Sequence, residues 1–211
     1  MAKYIIEFIG TFFLVLTIAL TGNPMAIGGI LIGLIYMGYS VSGAQYNPAT
    51  TIAVWMQKKI TSKEASLYIL SQVMGAAAAS LFFHMLYGNT RVFFLSPDIR
   101  INLLKPLLIE TLFTFIMILV ILYTAVAKKN TGNQYYGLAI GFTVMGLIYT
   151  GSYISGGAYN PAIGVVPILM ETVMGVCECN PINHSWIYLV GPLAGSVLAS
   201  LLFRYVIKEE V

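Results

Sequence analysis

Residues 33–49 of this chain (GLIYMGYSVSGAQYNPA) return at residues 146–162 (GLIYTGSYISGGAYNPA), an offset of 113, with 11 of the 17 positions identical. Apolar sequence does not repeat itself this closely by chance, so the chain must fold as two related halves. The flanking segments agree more weakly. Glu7, Thr11 and Phe12 match Glu110, Thr114 and Phe115. Tyr68, Gly75, Ala79, Ser80, Leu81 and Phe83 match Tyr188, Gly195, Ala199, Ser200, Leu201 and Phe203.

Composition decides the solvent. Hydrophobic residues make up 58% of the chain and charged residues 9%, against about 45–50% and about 25% in soluble proteins. So few charges cannot cover the surface of a soluble fold, and lipid needs no such cover. A bilayer core takes ~20 mostly apolar residues per helix. Six such runs lie near residues 4–22, 25–43, 64–87, 103–127, 135–154 and 184–207. The first is too long for a signal-peptide core and no cleavage site follows it, so it reads as a membrane span. With no long tail or linker, residues 1–211 are expected to form one domain, with repeats of approximately 1–95 and 96–211.

Two further apolar segments, near 47–57 and 160–171, are too short to span. Each opens with Asn-Pro-Ala: Asn47, Pro48, Ala49 and Asn160, Pro161, Ala162. Asn is a strong N-cap, and Pro suits the first helical turn, where its missing N–H has no partner to lose. Both segments therefore read as half-helices that begin inside the membrane. Irregular backbone at that depth is tolerated only where it is buried in protein or lines a wet cavity.

Each half thus carries three spans and one half-helix. Three is odd, so the second half is inverted relative to the first, and the equivalent half-helices meet near the midplane. The predicted fold is an all-α membrane protein with six transmembrane helices and two re-entrant half-helices. Each half-helix turns its N-terminus, with roughly half a positive charge, toward the centre. Such a site opposes cations, while Asn47 and Asn160 can offer N–H donors to a passing neutral solute. A lone Asn-Pro-Ala would be no more than a helix start; two at equivalent repeat positions, each preceded by Tyr, specify more.

The net charge of +3 comes from scattered basic residues and forms no nucleic-acid patch. With an even number of spans, Lys3, Lys58, Lys59, Lys63, Lys128, Lys129, Arg204 and Lys208 fall on one side, and Arg91, Arg100 and Lys105 on the other. That bias predicts cytoplasmic termini. No phosphate loop, nucleophile triad or metal cluster is evident, so neither an enzyme nor a cofactor is expected.

These motifs carry a family resemblance. Ser42-Gly43-Ala44-Gln45-Tyr46-Asn47-Pro48-Ala49 and Ser155-Gly156-Gly157-Ala158-Tyr159-Asn160-Pro161-Ala162 resemble the signature loops of the major intrinsic protein family, the aquaporins and glycerol facilitators. Glu7-Phe8-Ile9-Gly10-Thr11 in span one and Trp186-Ile187-Tyr188-Leu189-Val190-Gly191-Pro192 in span six extend the match over nearly the whole chain. The resemblance implies a right-handed six-helix bundle, one pore per subunit, a homotetramer in a lipid bilayer, and passage of water or small neutral solutes. It also implies that the buried acids Glu7 and Glu110 hold the loops bearing the half-helices, with a proton-relay role as the alternative.

The chain departs from the family at the outer filter. Members usually carry Arg after the second Asn-Pro-Ala; here it is Ile163. The position often occupied by His in water channels is Ile148, and the remaining two are Gly157 and Ile27. This ring has no charge and no side-chain donor. Water entering it gives up hydrogen bonds at about 1–3 kcal/mol per group, and less polar neutral solutes lose less. Some plant vacuolar members that the chain resembles share the missing Arg, and that resemblance implies ammonia, hydrogen peroxide or urea beside water. Gly164 stands where the glycerol branch often has Asp, which argues against a typical glycerol facilitator. A gradient-coupled transporter is the other alternative, but it would need an ion site near the Asn-Pro-Ala turns.

Other residues are less specific. Cys177 and Cys179 are too close in sequence for a relaxed disulfide and lack a full zinc ligand set. His84 reads as an interface anchor, and His184 as either that or a lining of the pore entrance. Tyr36 and Tyr149 read as helix packing, and Gly10, Gly75, Gly191 and Gly195 as close contacts between helices.

Overall fold

The computed structural model describes residues 1–98, 100, 102–175 and 181–207. Cys177, Cys179 and Lys208 lie outside the described residues. Helix ends fall where the backbone's hydrogen-bonding options change. α1 (Ala2–Thr21) stops at Gly22, whose φ of 60° lets its N–H donate back to the Ile18 carbonyl, a left-handed turn that suits glycine. Asn23 then caps α2 (Pro24–Ser42), its Oδ1 accepting from the N–H of Met25 at 2.8 Å and of Ala26 at 3.4 Å. α3 (Pro48–Met56) is the first half-helix. α4 (Ser62–Tyr87) opens with a capping box between Thr61 and Glu64, and the Lys3 ammonium donates to the same Glu64.

The second half follows with α5 (Leu104–Ile121), α6 (Tyr136–Ser155), α7 (Pro161–Gly164), α8 (Val166–Val173) and α9 (Ser185–Val206). Among the described residues, six helical spans are long and apolar enough to cross a membrane, α5 continuing to Val126 to make its own. The shortest of these spans, α2, has 19 residues and covers about 28 Å at ~1.5 Å per residue.

Contacts at the helix ends fix the directions. Lys3 with Glu64, the Gln57 amide with the Ser200 carbonyl, and the Tyr36 hydroxyl with the Gln134 carbonyl gather at one face, which holds the amino terminus. The Phe93 N–H with Glu171 and the Asp98 N–H with the Ile154 carbonyl gather at the other. α3 therefore runs from the middle to the amino-terminal face, and α7 with α8 from the middle to the opposite face.

Small residues let the helices approach. A Cβ on Gly75 would stand 2.5 Å from the Phe8 carbonyl oxygen, and one on its repeat partner Gly195 would stand 2.3 Å from that of Thr111. These contacts draw α4 onto α1 and α9 onto α5 through the same residue type in both halves. Gly191 likewise meets Glu110 across α9 and α5. Gly10 departs from the helix-to-helix expectation, because its missing Cβ makes room for the ring of Tyr46, 2.0 Å from where that atom would be.

Two elements differ from the sequence expectation. The second half-helix, read as one segment, runs from Pro161 to Val173 with one irregular residue, Val165, between α7 and α8. Pro167 has no N–H to donate to Ile163, and its ring conflicts with a continuing helix there. The fourth span ends in a π-helical turn, Leu122–Val126. The freed carbonyls of Tyr123, Thr124 and Ala125 accept from the side chains of Asn130, Asn133 and Tyr39 respectively, so the turn leaves no orphan among the three.

Candidate pore

The two Asn-Pro-Ala turns are built by the same local chemistry. Asn47 and Asn160 both have extended backbones that precede a helix, and Pro48 and Pro161 occupy the first helical position. Each Asn caps its own helix: Asn47 Oδ1 accepts from the Ala49 N–H at 2.8 Å, and Asn160 Oδ1 from the Ala162 N–H at 2.9 Å. With each oxygen so engaged, the amide nitrogens are fixed by the network. Asn47 Nδ2 donates to the Tyr159 carbonyl at 3.0 Å, and Asn160 Nδ2 donates to the Tyr46 carbonyl at 3.0 Å. One N–H of each amide thus locks the opposite loop, which leaves one per Asn for a solute.

The loops that carry these residues are strained. Tyr46 and Tyr159 have φ of 49° and 48°, values that a bulky side chain rarely adopts and that cost on the order of 1–3 kcal/mol each. Buried carboxylates hold them there. Glu7 accepts from the Ser42 hydroxyl at 2.7 Å and the Gln45 N–H at 2.9 Å on one oxygen. Its other oxygen accepts from the Tyr46 N–H at 2.7 Å and the Gln72 amide at 2.8 Å. Glu110 accepts from the Ser155 hydroxyl at 2.7 Å, the Ala158 N–H at 3.0 Å and the Tyr159 N–H at 2.7 Å. The tyrosine hydroxyls complete the hold, Tyr46 donating to the Leu34 carbonyl and Tyr159 to that of Leu147.

The halves diverge at one point. Gln72 bridges Glu7 to the Thr51 hydroxyl, which in turn donates to the Asn47 carbonyl at 3.2 Å. By the repeat, Gln72 corresponds to Pro192 and Thr51 to Gly164. In the second half the ring and Cβ of Tyr188 fill this space, 2.4 Å from where a Gly164 Cβ would stand. The first loop is tied by a polar chain and the second by packing.

A cavity of about 360 Å³ runs along these turns. Ile27, Ile148, Gly157 and Ile163 all line it, as do Asn47 and Asn160. Ile27, Ile148 and Ile163 are each under 10% exposed, so their part of the lining, with Gly157, is apolar. The rest of the wall is mostly aliphatic, with Leu14, Leu31, Val54, Met117 and Val144 among its residues. Tyr39, Lys59, Ala125 and Val126 line its end at the amino-terminal face, and the same four line a second cavity of about 490 Å³ that opens among residues 124–136. At the opposite face Asp98 pairs with Arg100 at 2.9 Å, which holds its carboxyl below the usual range. The Asp98 N–H fastens this loop to the end of α6, two residues before Gly156.

The sequence reading overlooked several of these residues. Ser42 with Ser155 and Tyr68 with Tyr188 recur in the repeat, and each Tyr hydroxyl donates to the Ser carbonyl of its own half; their recurrence was the available signal. Gln72, Gln45, Tyr39 and Lys59 have no matching repeat partner; Gln45 is legible in the sequence only as part of the Ser42–Ala49 motif and Lys59 only as a loop charge. His84 and His184 are not among the cavity's lining residues. Among the described residues, no cluster of three or more His, Cys, Asp or Glu could hold a metal.

Among the described residues, six membrane-length helices, four of which line the cavity together with two half-helices joined through their Asn side chains, define a transmembrane channel. Comparison with known proteins gives the family: the model for the major intrinsic protein family matches residues 19–203, and the chain belongs to that family. It is 35% identical to aquaporin AqpM of Methanothermobacter thermautotrophicus, over 98% of each chain. It is 31% identical to glycerol uptake facilitator protein-like 6 of Lactiplantibacillus plantarum, over the full length of both. The fold matches that of the aquaglyceroporin from Plasmodium falciparum with a TM-score of 0.82 at 22% identity, covering 98% of this chain and 96% of that one.

Proposed function

We propose that the chain is a passive channel for small, weakly polar neutral solutes, with Ile27, Ile148, Gly157 and Ile163 as its outer filter and the Asn47–Asn160 pair as its central donor site. The observation that carries this reading is one cavity whose lining includes Ile27, Ile148, Gly157, Ile163, both Asn residues and Lys59. The ring offers no side-chain hydrogen bond, so a solute crosses it at a cost set by the bonds it gives up to water, about 1–3 kcal/mol per polar group. Ammonia and hydrogen peroxide, and amides of the size of urea, are the solutes favoured beside water. The half-helix N-termini oppose cations.

Residues 1–211 act as one channel domain, sitting in the cell membrane with both termini in the cytoplasm. The concentration of basic residues at the amino-terminal face supports that orientation. Assembly as a homotetramer follows from the family, and apolar outward residues such as Leu112 and Phe142 provide surface for lipid and neighbouring subunits.

Stopped-flow fluxes of water, glycerol, ammonia and hydrogen peroxide into proteoliposomes test the filter, with Ile163→Arg alongside. Slow water with fast ammonia or peroxide, and a shift toward water in the variant, supports it. Wild-type water flux equal to that of the variant removes the ring as a barrier. A second reading, a glycerol facilitator, has the Lactiplantibacillus relative in its favour; glycerol flux exceeding that of ammonia would select it.

A further inference from the structure

Gln45 stands in the cavity wall two residues before Asn47. Its backbone N–H is held by Glu7 at 2.9 Å, which fixes where the side chain starts. The residue is 7% exposed, and its Oε1 is buried with no hydrogen-bond partner. Its Nε2 lies 3.9 Å from where a Cβ on Gly43 would stand, and Gly43 also lines the cavity. The repeat places Ala158 at the equivalent position in the second half, so the amide is not part of the shared scaffold. A buried amide oxygen without a partner is costly and is kept where something else is gained.

The other amides of the wall cannot do what Gln45 can. Asn47 Oδ1 and Asn160 Oδ1 each already accept from a backbone N–H that holds them against their own helix, so what the pair turns freely toward a solute is its remaining N–H groups. A donor-rich solute such as ammonia, with three N–H bonds and one lone pair, is poorly served there. Rotation about the terminal torsion of Gln45 presents either its oxygen or its NH2 group.

We propose that Gln45 is a specificity-determining residue of the pore, an acceptor station on the amino-terminal side of the Asn pair that favours N–H-bearing solutes over water. A solute whose lone pair accepts from the Asn pair donates to Gln45 at the next step. Water, with equal numbers of donors and acceptors, keeps its bonds along a water file and depends on the station less. This inference rests on the channel reading above.

The test measures ammonia influx by an internal pH dye and osmotic water flux by light scattering, in the same proteoliposomes. Gln45→Met keeps the volume and removes the amide, and Gln45→Ala reproduces the residue at 158. The ammonia-to-water permeability ratio is expected to fall about tenfold in both, the equivalent of one hydrogen bond. Gln45→Asn, which keeps an amide, should hold the ratio above that of Gln45→Met and guards against misfolding of the apolar variants. A ratio unchanged within about twofold of wild type, whether the two fluxes hold steady or fall together, overturns the proposal and leaves Gln45 a packing residue. A wild type with no ammonia or water flux above empty vesicles overturns the channel reading itself.

Discussion

Asn47 Nδ2 lies 3.0 Å from the carbonyl oxygen of Tyr159, 112 residues along the chain. Asn160 returns the bond to Tyr46, so two loops that enter from opposite faces are stitched at the centre by the very side chains that cap their helices.

Asn47→Ala removes both the cap and the stitch. Loss of an N-cap costs about 1 kcal/mol, and the stranded Tyr159 carbonyl about 1–3 kcal/mol more. Because both stitches join the same two loops, Asn47→Ala and Asn160→Ala should be non-additive. Thermal unfolding in detergent of the two single variants and the double variant checks this; strictly additive losses would show that the stitches act independently.

Glu7→Gln should destabilise more than Glu110→Gln. Each oxygen of Glu7 faces two donors, so the introduced NH2 confronts two of them in either orientation. Glu110 Oε2 faces only the Tyr159 N–H, and an NH2 placed there meets one. The difference should be about 1–3 kcal/mol, read from melting temperatures; equal losses or the reverse order would count against the Gln72 contact.

Gly10→Ala and Gly33→Ala should differ in sign. A Cβ on Gly10 would sit 2.0 Å from the Tyr46 ring, whose hydroxyl is anchored to Leu34, while nothing lies within 4 Å of one on Gly33. Overpacking of this kind costs about 1–3 kcal/mol or more, whereas Gly to Ala in an open helical position stabilises by roughly 0.5–1 kcal/mol. The yield of folded protein and its melting temperature report the contrast.

Ile163→Ala tests the proposed apolar ring by opening it on one side without adding polarity. Glycerol and urea fluxes should rise severalfold while ammonia flux changes little, because ammonia is not limited by the ring's diameter. Proteoliposome shrinkage after a solute jump measures this, and an unchanged glycerol flux would place the narrowest point elsewhere.

The sequence by itself determined the membrane solvent, the six spans, the inverted repeat and the two capped half-helices. Each of these follows from properties that are local or periodic: run length against bilayer thickness, and Asn-Pro at a helix start. The repeat also singled out Asn47, Asn160, Glu7 and Glu110, because their chemistry is written twice. What only the tertiary structure decided lies where the two copies differ or where distant segments meet. Pro167 put one irregular residue, Val165, into the second half-helix. Gln72 reinforced one carboxylate while Pro192 left the other without a counterpart. Gln45, Tyr39 and Lys59 came to one cavity wall from positions whose side chains the repeat does not share. The physical reason is that a spacing rule fixes which face of a helix a residue occupies, whereas an orphaned amide or a cross-loop bond depends on what the rest of the chain brings opposite it.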